Sequence, residues 1–186
     1  MNFRVLNAAK VVLGVRENNM KIGHKDYSVA VRSFTFGVED SLVSTVGLLV
    51  GIAVANVSRH DIVVTGLVLI FVEAFSMGVG SLLSEESVEE YELHRQVSLW
   101  RPSIAAVVMF VSYVVAGLIP LAPFFYNTPH AIGLSIALTL VSLVLLGFFN
   151  AKLFRVSAWR DGLMTLLMGG LAIGFGMLVG RIASHI

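Results

Sequence analysis

Glu73 is the residue whose type and position most directly suggest chemistry. It lies near the middle of an apolar run of 22 residues, 62–83, that carries no other charge. An ionisable side chain at that depth in a bilayer costs at least ~2.5 kcal/mol, and such residues commonly mark ion or proton paths. Glu73 is therefore a candidate functional residue. The alternative is a structural hydrogen bond to a neighbouring helix.

Asp40 and Met77 lie at a similar depth to each other. Asp40 is six residues inside the first apolar run, 34–57, which corresponds to ~9 Å at ~1.5 Å per helical residue. Met77 is six residues from the inner end of the second run. If the two runs pack as antiparallel helices, Asp40 and Met77 are level, and Glu73 lies about one turn further out.

Two carboxylates and a thioether at neighbouring depths are suited to a transition metal. Carboxylate oxygens bind divalent cations, while a methionine sulfur favours softer ions such as Fe²⁺ over Mg²⁺. Carboxylic acids in a medium of low dielectric constant favour their neutral form, so they can exchange a proton for a cation. The pattern predicts a metal path at Asp40, Glu73 and Met77. The alternatives are a helix-dipole role for Asp40 and simple packing for Met77.

Weaker metal candidates lie close to these three residues. Glu39 precedes Asp40, and its position favours the membrane interface. Beyond the second run, a predicted helix carries Glu86, Glu90 and His94 on one face and Glu85, Glu89 and Glu92 on another. Five acids at the inner mouth of a pore would concentrate divalent cations. The alternative is a solvated helix end.

Composition indicates the elements that must position these residues. The chain is 56% hydrophobic and 13% charged, whereas soluble domains carry about 25% charged residues. Five apolar runs are each long enough to cross a bilayer: 34–57, 62–83, 103–125, 131–154 and 162–184. The runs are continuous rather than alternating, which favours helices over a barrel. The sequence predicts one all-α membrane domain over 34–184, preceded by a cytoplasmic segment 1–33 that is either an interfacial helix or a disordered tail.

Basic residues predict the orientation. With the N-terminus in the cytosol, 11 of the 13 lysines and arginines lie inside, and only Arg59 and Arg181 lie outside. The C-terminus is then outside. The sequence has no cysteine, and its spans lack the catalytic motifs of metalloproteases and serine hydrolases, so we expect no enzyme activity. A net charge of +1 gives no indication of nucleic-acid binding.

Small residues and prolines predict features of helix packing. A stripe on the first span lets another helix approach closely, and consists of Gly37, Ser41, Ser44, Gly47 and Gly51. The glycines of the fifth span are interpreted as packing residues. Pro120 and Pro123 predict a kink or an early end of the third span.

Two motifs together resemble a known family. Residues 32–53 read RSFTFGVEDSLVSTVGLLVGIA and resemble the first-span Gly-Val-Asn-Asp-Gly-Leu-Val-Ser-Thr signature of the vacuolar iron transporter family. Residues 73–84 read EAFSMGVGSLLS and resemble its second-span Ser-Met-Ala-x-Gly-Glu-Tyr-x-Ser stretch. Pro102 with residues 117–121, and residues 162–172, are similar to its third and fifth spans. The match covers about residues 32–184 in the family's order.

This resemblance implies a homodimeric transporter with its path at the dimer interface. It implies that Fe²⁺, and often Mn²⁺, leave the cytosol in exchange for protons, with no cofactor beyond the transported ion. The family's first-span aspartate falls on Asp40 and its second-span methionine on Met77.

Three departures from the family pattern affect the site. Glu39 stands where the family has Asn, Ser41 where it has Gly, and Ser81 where it has Glu. Glu73, eight residues before Ser81 on about the same face, is a candidate replacement for the missing acid. About 18 residues connect spans 2 and 3, where family members often carry a cytoplasmic metal-binding domain.

The leading hypothesis is a proton-coupled exporter of Fe²⁺ and Mn²⁺. The alternative is a non-transporting membrane protein that binds a metal or a partner on the same scaffold. With a minimal chain and no visible organelle signal, we expect a prokaryotic cell membrane.

Overall fold

The computed structural model describes the backbone of residues 3–126, 128–154 and 157–185. It describes the side chains in these ranges from residue 26 onward, apart from Ala158 and Asp161. The described residues form five α-helices and no strand: α1 Phe3–Val54, α2 Arg59–Leu93, α3 Trp100–Phe125, α4 Ala131–Phe154 and α5 Ala158–Ala183. All five contain a segment long and apolar enough to cross a membrane. The prediction of an all-α membrane protein with five transmembrane helices is confirmed.

Helix α1 is 52 residues long, and its membrane-length part is Asp26–Val54. The helix passes without a break through residues 33 and 34, where the sequence suggested a boundary. The backbone of residues 3–25 is helical. Their side chains lie outside the described part, and so does the predicted contact of this segment with the membrane surface. The division of the chain at residue 33 therefore stays a prediction.

Helix α1 is the central helix and contacts each of the other four. Leu42 packs with Ala116 of α3 and Leu143 of α4. Val46 and Val50 pack with Ile173 of α5. In a bilayer these contacts stabilise the bundle by close packing rather than by removing apolar surface from water. The most buried face of α1 therefore fixes which of its side chains remain available for a site.

Glycines bring the backbones of α1 and α5 together. A Cβ added to Gly51 would lie 2.8 Å from the carbonyl oxygen of Gly176, closer than real Cβ contacts. Gly47 has the same relation to Ala172, at 3.3 Å. The predicted close approach of a helix to the α1 stripe is therefore confirmed at these glycines. The α5 glycines were interpreted as packing residues. For Gly170 and Gly174 this is wrong within the protomer, because an added Cβ would meet no atom of the described protein within 4 Å.

The outer half of the α1 stripe and its inner half have different neighbours. Ser41 donates a hydrogen bond to the carbonyl oxygen of Tyr113 in α3, at 2.6 Å. A Cβ on Gly37 would also meet α3, at Ser112 and Met109. One stripe of small residues on α1 thus accommodates two helices, α3 near the predicted cytosolic side and α5 further out.

Helix α3 continues through Pro120 and Pro123 and ends at Phe125. The helix therefore reaches the end of the predicted span, 103–125, and the predicted early end is wrong. Arg59, at the start of α2, donates to the terminal carbonyl oxygens of Phe124 and Phe125 at 2.5 Å each. A cation at these unpaired carbonyls satisfies acceptors and favours the negative end of the helix dipole.

Candidate ion path along helix α1

The α1–α2–α5 groove is an open groove of about 500 Å³ that brings Asp40, Ser44 and Glu73 together. Asp40 and Ser44 come from α1, and Glu73 comes from α2. The rest of its described lining is apolar or glycine, and none of it is basic. The predicted pair of membrane acids thus shares one surface in which the described residues provide no positive charge.

Glu73 is half-buried and hydrogen-bonded to a buried tyrosine. The hydroxyl of Tyr113 in α3 donates to the Glu73 carboxylate, and the side-chain oxygen of Ser44 lies 2.7 Å from the same hydroxyl. Tyr113 itself is 0% exposed. A hydrogen bond from Glu73 to a neighbouring helix, which the structural alternative expected, is therefore present. It coexists with the position of Glu73 on the groove.

Tyr113 is the functional candidate that the sequence reasoning missed. Span 3 is otherwise rich in Val, Ala and Leu, so a tyrosine at its middle is unusual. Because a buried tyrosine hydroxyl usually has a hydrogen-bond partner, this residue alone could have indicated a polar contact inside the bundle. Which partner it has follows only from the packing of α3 against α1 and α2.

Asp40 also lines a second cavity, of about 470 Å³, between α1, α4 and α5. Glu39 shares this cavity with it, and so do Asn150, Met164 and Met168. Glu39 is half-buried there, and its predicted place at the membrane interface stays a prediction. Thr35 donates to the amide oxygen of Asn150 at 3.0 Å, which orients that side chain. Asp40 is thus the carboxylate common to the groove and to this second cavity.

Met77 lines a different cavity from Asp40. Its cavity of about 420 Å³ lies between α1, α2 and α3, and it includes Arg32, Ser33, Ser81 and the second thioether of Met109. The described cavities place no methionine of α2 beside Asp40. The depth count fixed the levels of Asp40 and Met77, but depth leaves open the direction in which each side chain points around its helix axis.

The acidic end of α2 is partly neutralised. Arg101 of α3 contacts Glu89 at 2.7 Å and Asp26 of α1 at 2.5 Å. Arg32 of α1 pairs with the buried Glu85. These ion pairs join α1, α2 and α3 at the end that the charge distribution places in the cytosol. The expectation that all five acids attract cations is therefore too broad, because two of them already have arginine partners.

The remaining weak candidates do not form a site in one protomer. Glu86 and Glu90 are half-exposed, and His94 ends α2 in a left-handed conformation with its N–H donated to the carbonyl oxygen of Glu90. Within the part of the chain that the structure describes, no group of three His, Asp or Glu side chains is arranged to hold a metal ion. A complete ligand set for a divalent cation therefore needs other donors or a second copy.

Comparisons with known proteins agree with this architecture. A sequence profile of the VIT family matches residues 31–98 and 87–181. Vacuolar iron transporter homolog 5 of Oryza sativa subsp. japonica is 28% identical over 163 residues, covering 80% of this chain and 78% of that protein. Vacuolar iron transporter homolog 3 of Arabidopsis thaliana is 26% identical over 166 residues, covering 81% and 83%.

Proposed function

Because the chain belongs to the VIT family, we propose that it is a proton-coupled transporter that moves Fe²⁺, and Mn²⁺ as well, out of the cytosol. One observation carries the proposal. Asp40 and Glu73 share a groove in the membrane-spanning part, and the described residues lining it include no basic partner. Like charges so placed repel each other, and a divalent cation between them relieves this repulsion. The names of the relatives, vacuolar iron transporter homologs, support iron as the cargo.

The two acids have different tasks in this mechanism. Asp40 lies closer to the predicted cytosolic side and receives the ion. Glu73 lies deeper and carries the proton that is exchanged for the cation. An arriving cation displaces that proton, which couples the two fluxes.

A non-transporting metal-binding protein is the second candidate. Ser81 stands where the family pattern has a carboxylate, and its hydroxyl oxygen lies 3.4 Å from that of Ser33. A chain that had lost one coupling acid could bind a metal without releasing it across the membrane. The family membership and the membrane location of the acids give no support to an enzyme.

Metal flux separates these two functions. We expect purified protein in proteoliposomes to take up Fe²⁺ and Mn²⁺, with faster uptake when a pH gradient is imposed. Protein-free liposomes provide the background. Saturable metal binding by the solubilised protein with no flux above that background would favour the binding protein.

A homodimer completes the path in this proposal. One protomer offers too few ligands for a six-coordinate ion, and its acidic groove is open to what would be lipid. A twofold axis near α1 doubles the ligands and covers the groove. The bilayer, divalent cations and protons are then the other partners of the protein.

Cross-linking tests the arrangement of the two protomers. The chain contains no cysteine, so single cysteines report one position each. We expect Phe36→Cys on α1 to cross-link two protomers efficiently, since Phe36 is half exposed beside the acidic cavities. Leu145→Cys on α4 is the matched control, because this side chain is exposed on another helix. Efficient cross-linking through Leu145 alone would contradict the arrangement.

The cell membrane of a prokaryote stays a prediction for the location. The relatives named above are plant proteins, and they provide no support for a prokaryotic source.

In the cytosol-facing part, we retain Glu86 and Glu90 as acids that raise the local cation concentration, whereas Glu89 pairs with Arg101.

A further inference from the structure

The hydroxyl of Tyr113 connects the two sides of the α1–α2–α5 groove. Tyr113 lies behind the groove on α3, fully buried, and is not itself part of the groove lining. Its two partners, Ser44 and Glu73, both are. Three side chains from three helices thus form one continuous hydrogen-bonded row.

Counting protons gives this row a direction. In the cation-bound state, in which Glu73 has given up its proton, its carboxylate can only accept, so the single proton of the Tyr113 hydroxyl is donated to Glu73. Tyr113 has no second proton for Ser44. The 2.7 Å contact between the two hydroxyl oxygens must then be donated by Ser44. The only proton of Ser44 therefore points toward Tyr113 and not toward the groove. Both lone pairs of the Ser44 oxygen remain free to accept.

Ser44 also stands at the right place along α1. It follows Asp40 by four residues, so both side chains lie on one face of the helix about one turn apart. Of the other hydroxyls near this level, Ser41 donates to the Tyr113 carbonyl oxygen and Thr45 is fully buried, and neither lines the groove. Among the hydroxyl-bearing residues on the described part of α1, Ser44 is the one that does.

We propose that the side-chain oxygen of Ser44 is a direct ligand for the divalent cation in this groove, between Asp40 and Glu73, and that Tyr113 is the positioning residue. Tyr113 keeps the Ser44 proton out of the groove and holds the Glu73 carboxylate against α3. The inference rests on the proposed function, and it adds a ligand and a positioning residue. The resulting donor set consists of three oxygen-donor side chains, which suits Fe²⁺ and Mn²⁺ as hard to borderline ions.

Mn²⁺ binding to the detergent-solubilised protein, measured by titration calorimetry, tests the proposal without depending on transport. We expect Ser44→Ala to weaken Mn²⁺ binding by at least about tenfold. Tyr113→Phe keeps the ring and removes only the hydroxyl, and we expect about tenfold weaker binding, as is usual when a group supporting a metal ligand is lost. Ser44→Thr restores the oxygen and should bind as the wild type does.

Ser41→Ala is the matched control. It removes a hydroxyl three residues away on the same helix, and its binding should equal that of the wild type. In proteoliposomes, the Ser44→Ala and Tyr113→Phe proteins should show a raised apparent KM for Mn²⁺ with little change in maximal rate. A merely structural role would instead lower the amount of active protein, and hence the maximal rate, at unchanged KM.

The outcomes separate this inference from the proposed function. Wild-type affinity in both Ser44→Ala and Tyr113→Phe overturns the inference, and so does an equal loss of affinity in Ser41→Ala. If Ser44→Ala does not fold, Tyr113→Phe and Ser44→Thr still decide the question. Wild-type protein that binds Mn²⁺ through Ser44 but transports none would support the ligand assignment and reject the transporter.

Discussion

Replacing Asp40 by alanine is expected to abolish metal transport. Asp40 lines the groove that also holds Glu73, and it lies nearer the predicted cytosolic side, so its loss removes the carboxylate that receives the ion in the proposed path. Loss of an outer-shell partner commonly costs 10–100-fold in metal affinity, and loss of a direct carboxylate ligand should exceed about 100-fold. Initial rates of Fe²⁺ and Mn²⁺ uptake into proteoliposomes measure the effect.

Glu39→Gln is the matched control for Asp40. Glu39 is the adjacent acid on the same helix and lines the second cavity, but it does not line the groove. We expect this variant to keep most of the transport rate. Asp40→Asn, which preserves side-chain volume, separates the charge from packing and should be as inactive as Asp40→Ala. Transport by Asp40→Asn at the wild-type rate would remove Asp40 from the path.

Replacing Glu73 by glutamine is expected to remove the dependence of transport on a pH gradient while leaving some metal binding. Glutamine has the shape of the protonated acid but cannot release a proton. Metal flux driven by a metal gradient alone should persist at a reduced rate, because Asp40 and Ser44 remain in the groove. The measurement is metal flux with and without an imposed pH gradient, at equal metal concentration.

The hydrogen bond from Tyr113 allows the Glu73→Gln variant to distinguish proton coupling from a structural role of Glu73. The side-chain oxygen of glutamine can still accept the hydrogen bond from the Tyr113 hydroxyl, so a purely structural role of Glu73 is preserved in the variant. Wild-type pH dependence in Glu73→Gln would therefore return Glu73 to a helix-packing role. Glu90→Gln is the control, since Glu90 lies on the same helix beyond the predicted span and should keep the gradient dependence.

The methionines that share a cavity with Asp40 do not include the one that the sequence predicted to select Fe²⁺ over harder ions. The softness of the methionine sulfur made Met77 the predicted selectivity filter, but Met77 lies with Met109 in a cavity separate from the groove. Met164 and Met168 of α5 are the thioethers that share a cavity with Asp40 in this protomer. How Met77 meets the ion in the proposed dimer depends on what the second protomer contributes, and its role stays a prediction.

The sequence by itself determined the helices and the residues inside them that could bind a cation. A bilayer allows only structures that satisfy their backbone hydrogen bonds internally, so five continuous apolar runs could only be five helices. The same physics made Glu73 conspicuous, because a charge in that environment is costly. Counting residues from the span ends then placed Asp40 and Glu73 within about one turn of each other, and the structure brings both to one groove.

Only the tertiary structure decided which way each side chain faces and what it contacts. Depth follows from residue number, but rotation about a helix axis follows from packing against all neighbours at once. Gly47 and Gly51 admit α5 so closely that they fix the rotation of α1. That rotation presents Asp40 and Ser44 to the groove, leaves Met77 in a separate cavity, and places the buried Tyr113 where it bonds to Ser44 and Glu73. No periodicity within a single helix contains that information, because it depends on the shapes of three helices in mutual contact.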